Sequence, residues 1–324
     1  MNAEKFLSKR RALLLSEDIS VGGQAVIEGV MMRAQKSIAT AVRKPNREIL
    51  IKSYLYTGLS KRYKILNIPI LRGAVTFFEM VFIGIRALNF SADIALVEQE
   101  KADKGADWER PQGKKVTDWL MLAGIIVLSF VLAVVIFFAL PLFFTEVMGL
   151  SKNALSFNMV AGIIRVSLFL VYLWVISQWK EIRRIFEYHG AEHKTVNAFE
   201  SGEELSIENL RKYSTLHPRC GTSFLLIVVL LAIFLFAVAD TIVEMRIGHR
   251  PAILQRFITH FSLLPLLAGI SFELLKLSGA KRNNRFVRWL TSPGLWLQKV
   301  TTKEPDDAQL EVAMTALQSA LEES

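Results

Sequence analysis

Between Trp119 and Thr145 the chain carries no charged residue. So long an apolar run exceeds what a soluble core helix needs and is sufficient to cross a bilayer with some tilt. Three further runs follow: Asn158–Trp179, interrupted only by Arg165; Thr222–Ala239, uninterrupted and ending at Asp240; and Phe257–Leu275, which contains His260 and Glu273. In hydrocarbon every backbone N–H and C=O must be satisfied within its own segment, so these runs are helices. The 52% hydrophobic content fits a membrane chain better than a soluble one. The expected fold class is therefore mainly α: a polytopic membrane protein with about four transmembrane helices, a small N-terminal β unit and an interfacial amphipathic helix.

The formal net charge of +9 would suit nucleic acid, but in such a chain it reflects the basic flanks of membrane helices. The expected partner is a lipid bilayer and not nucleic acid. The loop joining the first two runs holds Lys152 as its only cation, whereas Lys180–Gly221 holds Lys180, Arg183, Arg184, Lys194, Arg211, Lys212 and Arg219. Lys276, Lys281, Arg282, Arg285 and Arg288 follow the last run. This bias predicts a multi-pass protein of the inner cell membrane with both termini and Lys180–Gly221 cytosolic. Arg246, Arg250 and Arg256, in the last outer loop, run against that bias. The single cysteine excludes an internal disulfide. Ionised groups in hydrocarbon need partners, so Arg165 and Asp240 are expected to pair, and Glu273 has only Lys276 nearby.

Residues 1–20 read as a basic cytosolic tail. In 21–97, Val21–Arg33 has glycines at 22, 23 and 29 that imply tight bends, and Ser37–Tyr54 reads as a β-hairpin around Lys44-Pro45-Asn46-Arg47. In 70–97 the charges Arg72, Glu79, Arg86 and Asp93 recur every seven residues and form one narrow stripe, as in an interfacial helix or one lying against the bundle. Residues 98–116 form a charged linker, and 117–279 the four-helix region. In the cytosolic tail, 280–324, a turn is expected at Ser292-Pro293-Gly294, with Trp289 and Trp296 as interfacial aromatics. Asp306 and Asp307 then cap a helix with Leu310, Met314, Leu317 and Leu321 on one face. That face either docks within the chain or binds a membrane-protein partner.

Chemistry concentrates in Glu187–Thr195. His189 and His193 share a helix face, and Glu192 completes H-x-x-E-H, the inverted zinc-enzyme order. In that order the histidines bind the metal and the glutamate handles the proton of the water it activates. His217 and Cys220 follow in the loop 180–221, so three of five histidines and the sole cysteine fall close together. The cofactor expected is a divalent transition metal, Zn2+ above others. Three ligands would leave a position for water, whereas His189, His193, His217 and Cys220 together would close a structural tetrahedron. The plainer reading is a wet basic loop of hydrogen-bonding histidines, with Glu192 as a surface partner of a cation. If the second apolar run continues as one helix into the motif, His189 lies about 16 Å beyond it, which favours His217 and Cys220 over Glu273 as further ligands.

The blocks G-G-Q-A-V-I-E-G-V-M-M-R, P-I-L-R-G, Y-H-G-A-E-H-K-T-V-N-A-F-E, L-H-P-R-C-G-T-S-F and P-G-L-W-L-Q resemble the bacterial YqhQ-like membrane family over residues 20 to 310. That resemblance implies a domain of unknown function described as a predicted metal-dependent enzyme, and no reaction. Gly22, Gly23, Gln24, Glu28 and Arg33 belong to the first block. They either line a substrate side of the site or pack the β unit beneath the bundle. The function expected is a metal-dependent hydrolase at the cytosolic membrane face, acting on a peptide or lipid-linked substrate. The alternative is a metal-stabilised scaffold or biogenesis factor.

Overall fold

The computed structural model describes residues 21–105, 116–149, 154–280 and 284–323. The tail expected at 1–20 and most of the linker expected at 98–116 lie outside them.

Four strands, β1 (Gly22–Val26), β2 (Gly29–Arg33), β3 (Ser37–Arg43) and β4 (Ile49–Leu55), form an antiparallel meander in chain order. The Gly22–Arg33 block is thus a hairpin in its own right, not only a set of bends, with Val26 paired to Gly29 across Ile27-Glu28. Glu28 takes a positive φ of 52° at that turn. Gly29 is dictated by close approach, since a Cβ there would lie 2.2 Å from the Ala41 carbonyl oxygen. Side chains alternate faces along a strand. Val30, Met32, Ala39 and Ala41 join one core, and Met31, Ile38 and Val42 join another. A sheet buried on both faces reads as a continuous apolar run, which hides its alternation.

A short helix α1 (Leu59–Arg62) and a 3₁₀ turn (Lys64–Asn67) lead into α2 (Leu71–Lys104). α2 extends through the first residues of the expected linker. Its polar stripe is spent on partners: Arg72 donates twice to Glu273, at 2.6 and 2.5 Å, Glu79 accepts from Tyr56, and Arg86 lies 4.5 Å from the Tyr54 ring centroid. Glu273 is therefore matched by Arg72 and not by Lys276 alone. Ile83 and Ala87 of α2 pack under the sheet.

Next come α3 (Val116–Val134), a π-helical turn (Val135–Ala139), α4 (Leu140–Met148), α5 (Ala154–Ile176), α6 (Lys180–Glu200), α7 (Ile207–Arg211), α8 (Gly221–Ile247), α9 (Ile253–Ser262), α10 (Leu264–Ala280), α11 (Arg285–Thr301) and α12 (Asp307–Glu322). Among the described residues four helices are long and apolar enough to cross a membrane: Leu71–Lys104, Ala123–Met148, Leu155–Ile176 and Gly221–Ile247. Ile253–Ser262 and Leu264–Leu277 pass the same test only as a pair bent by 48°. The fold class is as expected, but the span read at Phe257–Leu275 is broken. Pro265, just past the break, lacks the N–H a continuous helix would use and crowds the preceding turn.

Other sequence-based pairings give way to closer partners. Pro141 has no N–H to offer the Phe137 carbonyl four residues before it, and Arg165 Nε donates to that oxygen at 2.9 Å. Asp240 instead accepts from Asn158 at 2.8 Å and meets His260 at 2.9 Å and Arg256 at 3.5 Å. No Arg165–Asp240 pair forms among the described residues. α5 does not run on into α6. Ser177 and Gln178 side chains both donate to the Trp174 carbonyl, and Trp179 is extended at ψ 137°. The straight-helix projection of His189 therefore fails. The turn expected at Ser292-Pro293-Gly294 lies inside α11, where a Cβ on Gly294 would approach Ser223 Oγ to 2.7 Å.

α12 opens with the expected cap: Asp306 Oδ1 accepts from Gln309 N at 2.7 Å, and Gln309 Oε1 from Asp306 N at 2.9 Å. Leu310, Ala313, Leu317 and Leu321 are buried against the sheet and α6. The face that would have bound a membrane-protein partner is thus consumed within the chain.

Candidate metal centre

α6 sets His189 and His193 one turn apart, with ring centroids separated by 4.4 Å. Cys220 caps α8, its Sγ accepting from Thr222 N at 3.4 Å. Loop 212–220 folds this end onto α6, placing Cys220 Sγ 3.2 Å from His189 Nε2. One atom from each of His189, His193 and Cys220 lies within 4.8 Å of the others. Ligands on zinc at about 2.0–2.3 Å sit roughly 3.3–3.8 Å from one another, so small side-chain adjustments suffice.

The histidines are oriented by backbone carbonyls. His189 Nδ1 bonds Thr301 O at 2.8 Å, and His193 Nδ1 bonds Thr215 O at 2.5 Å. A carbonyl only accepts, so Nδ1 carries the proton and each Nε2 turns a lone pair toward the cluster. Burial holds the His193 imidazole below its usual value, in the neutral form a ligand requires. The donor set of two such nitrogens and a sulfur fits zinc.

Glu192 is 5% exposed, and its Oε2 lies 3.4 Å from His193 Nε2. Burial pushes its carboxyl up, while His189, His217 and the Gly23 backbone amide pull in the opposite direction. β1 makes the pocket wall here. A Cβ on Gly23 would stand 2.8 Å from Glu192 Cγ and 2.5 Å from the Met31 carbonyl oxygen. Only backbone fits at that point.

The rest of the first block lies elsewhere. Gly22 has open space beside it, and Gln24 packs against Gly84 of α2. Glu28 accepts from Arg184 and, at 3.3 Å, from the Tyr188 hydroxyl. Arg33 reaches Met80 Sδ at 2.9 Å and covers the Tyr56 ring. Gln24, Glu28 and Arg33 thus fasten the sheet to α2 and α6, and of this block only Gly23 touches the cluster. His217 is adjacent to the cluster without joining it. Its ring centroid is 5.7 Å from that of His193, and its Nε2 faces Glu200 at 3.5 Å.

Three positioning groups were missed from sequence. The Thr215 and Thr301 carbonyls leave no side-chain signature. Gln298 could have been noticed, since it ends the P-G-L-W-L-Q block. Its amide bonds both the N and the O of His217 at 2.8 Å and also Ser223 Oγ, clamping the loop that delivers Cys220.

Fold and site together define a polytopic membrane protein whose small sheet unit closes over a His–His–Cys cluster, buried at His193 and Cys220 and half-buried at His189, with a carboxylate beside it. The profile of a family described as a protein of unknown function (DUF1385) matches residues 68–323, and the chain belongs to that family. It is also similar to the "Uncharacterized protein YqhQ" of Bacillus subtilis (strain 168), with 33% identity over 304 residues, 93% of this chain and 92% of the relative. No solved structure matches the chain.

Proposed function

We propose that the chain is a zinc-dependent hydrolase at the cytosolic face of the bacterial inner membrane, acting on a peptide or lipid-linked substrate. The observation that carries this reading is the count of donors: three ligand atoms converge, with His217 turned to Glu200 and Glu192 turned inward. A closed structural site would use four ligands and has no need of a carboxylate there, whereas three plus a nearby base is the catalytic pattern. When bound, the metal supplies Lewis-acid activation of water. The chain's own part is to orient both imidazoles through the Thr215 and Thr301 carbonyls, hold Cys220 on the α8 terminus, and take up a proton at Glu192. The orientation, with both termini and the motif helix in the cytosol, rests on the Lys/Arg asymmetry of the loops.

Burial favours a second reading. Glu192, His193 and Cys220 are 5, 2 and 4% exposed, as expected where metal only staples α6 to the start of α8. One substitution separates the two. Glu192→Gln keeps size and helix compatibility but accepts no proton. For a hydrolase it retains metal and fold and fails to support a cell that depends on the protein. For a staple it complements fully, and that outcome with normal metal content would end the catalytic reading.

A further inference from the structure

From Ile49 to Phe78 the chain has no acidic residue and five cations: Lys52, Lys61, Arg62, Lys64 and Arg72. Large apolar side chains of the same stretch stand in the open: Leu55 and Ile65 are each 73% exposed, Ile68 54% and Tyr63 48%. We infer that Leu55–Leu71 is a lipid wedge that enters an anionic leaflet and turns back, seating the sheet unit on the bilayer. This is independent of the hydrolase reading.

The geometry of α2 fixes the depth of the segment. Its first turn abuts the membrane helices: a Cβ on Gly73 would lie 2.7 Å from the Gly269 carbonyl oxygen, Arg72 pairs with Glu273, and the Phe77 ring sits 5.4 Å from that of Phe224 near the start of α8. Farther along, Ile83 and Ala87 are packed on the sheet. A sheet with open outer strands cannot sit in hydrocarbon, because its edge N–H and C=O groups would go unsatisfied. The membrane boundary therefore crosses α2 between Phe77 and Ile83, so that this helix, although long and apolar enough to span, enters the bilayer only with its first turns. Glu79 lies at that level and holds the beginning of the segment, accepting from Tyr56 Oη at 2.5 Å and Leu59 N at 2.6 Å. From Leu59 the chain descends to Leu71, eight residues before Glu79, which is about 12 Å deeper by helix rise. It reverses at Ile70, a β-branched residue held at φ 70°. The exposed isoleucines thus face acyl chains. Arg72 is neutralised by Glu273, and Lys61, Arg62 and Lys64 remain for headgroups. Cations beside an inserted apolar face select anionic lipid. Through Gln24 against Gly84 and Gly23 against Glu192, the same α2 sets the height of the candidate metal centre above the bilayer.

The test uses the full chain in nanodiscs, with Ile65→Cys carrying an environment-sensitive fluorophore and Asn46→Cys, in the exposed β3–β4 turn, as reference. Cys220 is buried, and the unsubstituted chain measures any labelling of it. A quencher on the upper acyl chain should reduce emission at 65 at least about twofold and leave 46 unchanged. On phosphatidylglycerol it should quench at least about threefold more than on phosphatidylcholine, a preference that Lys61→Gln/Arg62→Gln/Lys64→Gln removes. Equal behaviour at 65 and 46 would overturn the wedge. So would blue-shifted emission at 65 without lipid quenching, which would mean a protein partner or second copy covers it. Equal quenching by the two lipids would overturn the anionic preference.

Discussion

Replacing Gly190 by alanine probes the packing that holds the candidate centre together. A Cβ there would lie 2.0 Å from the Lys303 carbonyl oxygen and 3.2 Å from Thr215 Cγ2. The first is backbone and cannot swing away. Lys303 is also tied to α6 by its own N–H, which donates to Phe186 O at 2.9 Å, and two residues earlier the Thr301 carbonyl orients His189. Alanine must therefore push segment 301–303 off α6. Overpacking of this kind costs about 1–3 kcal/mol, and each of the two hydrogen bonds at risk contributes about 0.5–1.5 kcal/mol. The sum, about 2–6 kcal/mol, corresponds to a fall in Tm of roughly 5–20 °C. Thermal unfolding in detergent, followed by tryptophan fluorescence, measures it. Gly22→Ala is the control, because nothing lies within 4 Å of a Cβ there, and its effect should stay within about 0.5 kcal/mol. Wild-type Tm and zinc content in Gly190→Ala would refute the claim that 301–303 braces the histidine helix.

The Arg72–Glu273 pair is bidentate and partly buried, at 24 and 19% side-chain exposure. A double-mutant cycle with Arg72→Ala and Glu273→Ala should give a coupling of about 1–3 kcal/mol, read from thermal unfolding, and zero coupling would mean α2 is held by packing alone. At the domain surface, the Arg211 guanidinium keeps the Asp307 carboxyl below its ordinary value. A depressed carboxyl stabilises the fold fully above its unfolded value and stops doing so as pH falls through the lower, folded one. The Tm difference between wild type and Asp307→Asn should accordingly be constant at neutral pH, begin to shrink near about pH 4 and vanish only in stronger acid, below the folded value. A difference that persists there would point to α12 capping and not to charge.

Much of the membrane part was legible because an uncharged apolar run admits few structures. Trp119–Thr145 and Thr222–Ala239 could only be helices. Pairings were not legible, because they depend on geometry that no periodicity records. Arg165 finds the Phe137 carbonyl, whose helical donor is missing because residue 141 is proline, and Asp240 finds His260 on α9 across the loop that follows α8. The β1–β2 hairpin escaped notice since most of its residues are small or apolar on both faces, leaving no alternation to read. At the candidate centre, spacing alone brought out His189, His193 and Glu192, and loop proximity added Cys220. His217, three residues from Cys220 and equally plausible by spacing, is diverted by Glu200, a residue no metal motif marks. Thr215 and Thr301 act through backbone oxygens, which any residue carries.

The account stands on a metal bound by His189, His193 and Cys220, and the metal content of the purified, full-length chain tests it most directly. It predicts one zinc per chain in the wild type, the same in His217→Ala, and loss in His193→Ala and in Cys220→Ser. His217→Ala is the informative variant, because it removes a histidine beside the cluster and leaves the three ligands intact. No zinc in the wild type, or zinc retained without Cys220, would contradict the account.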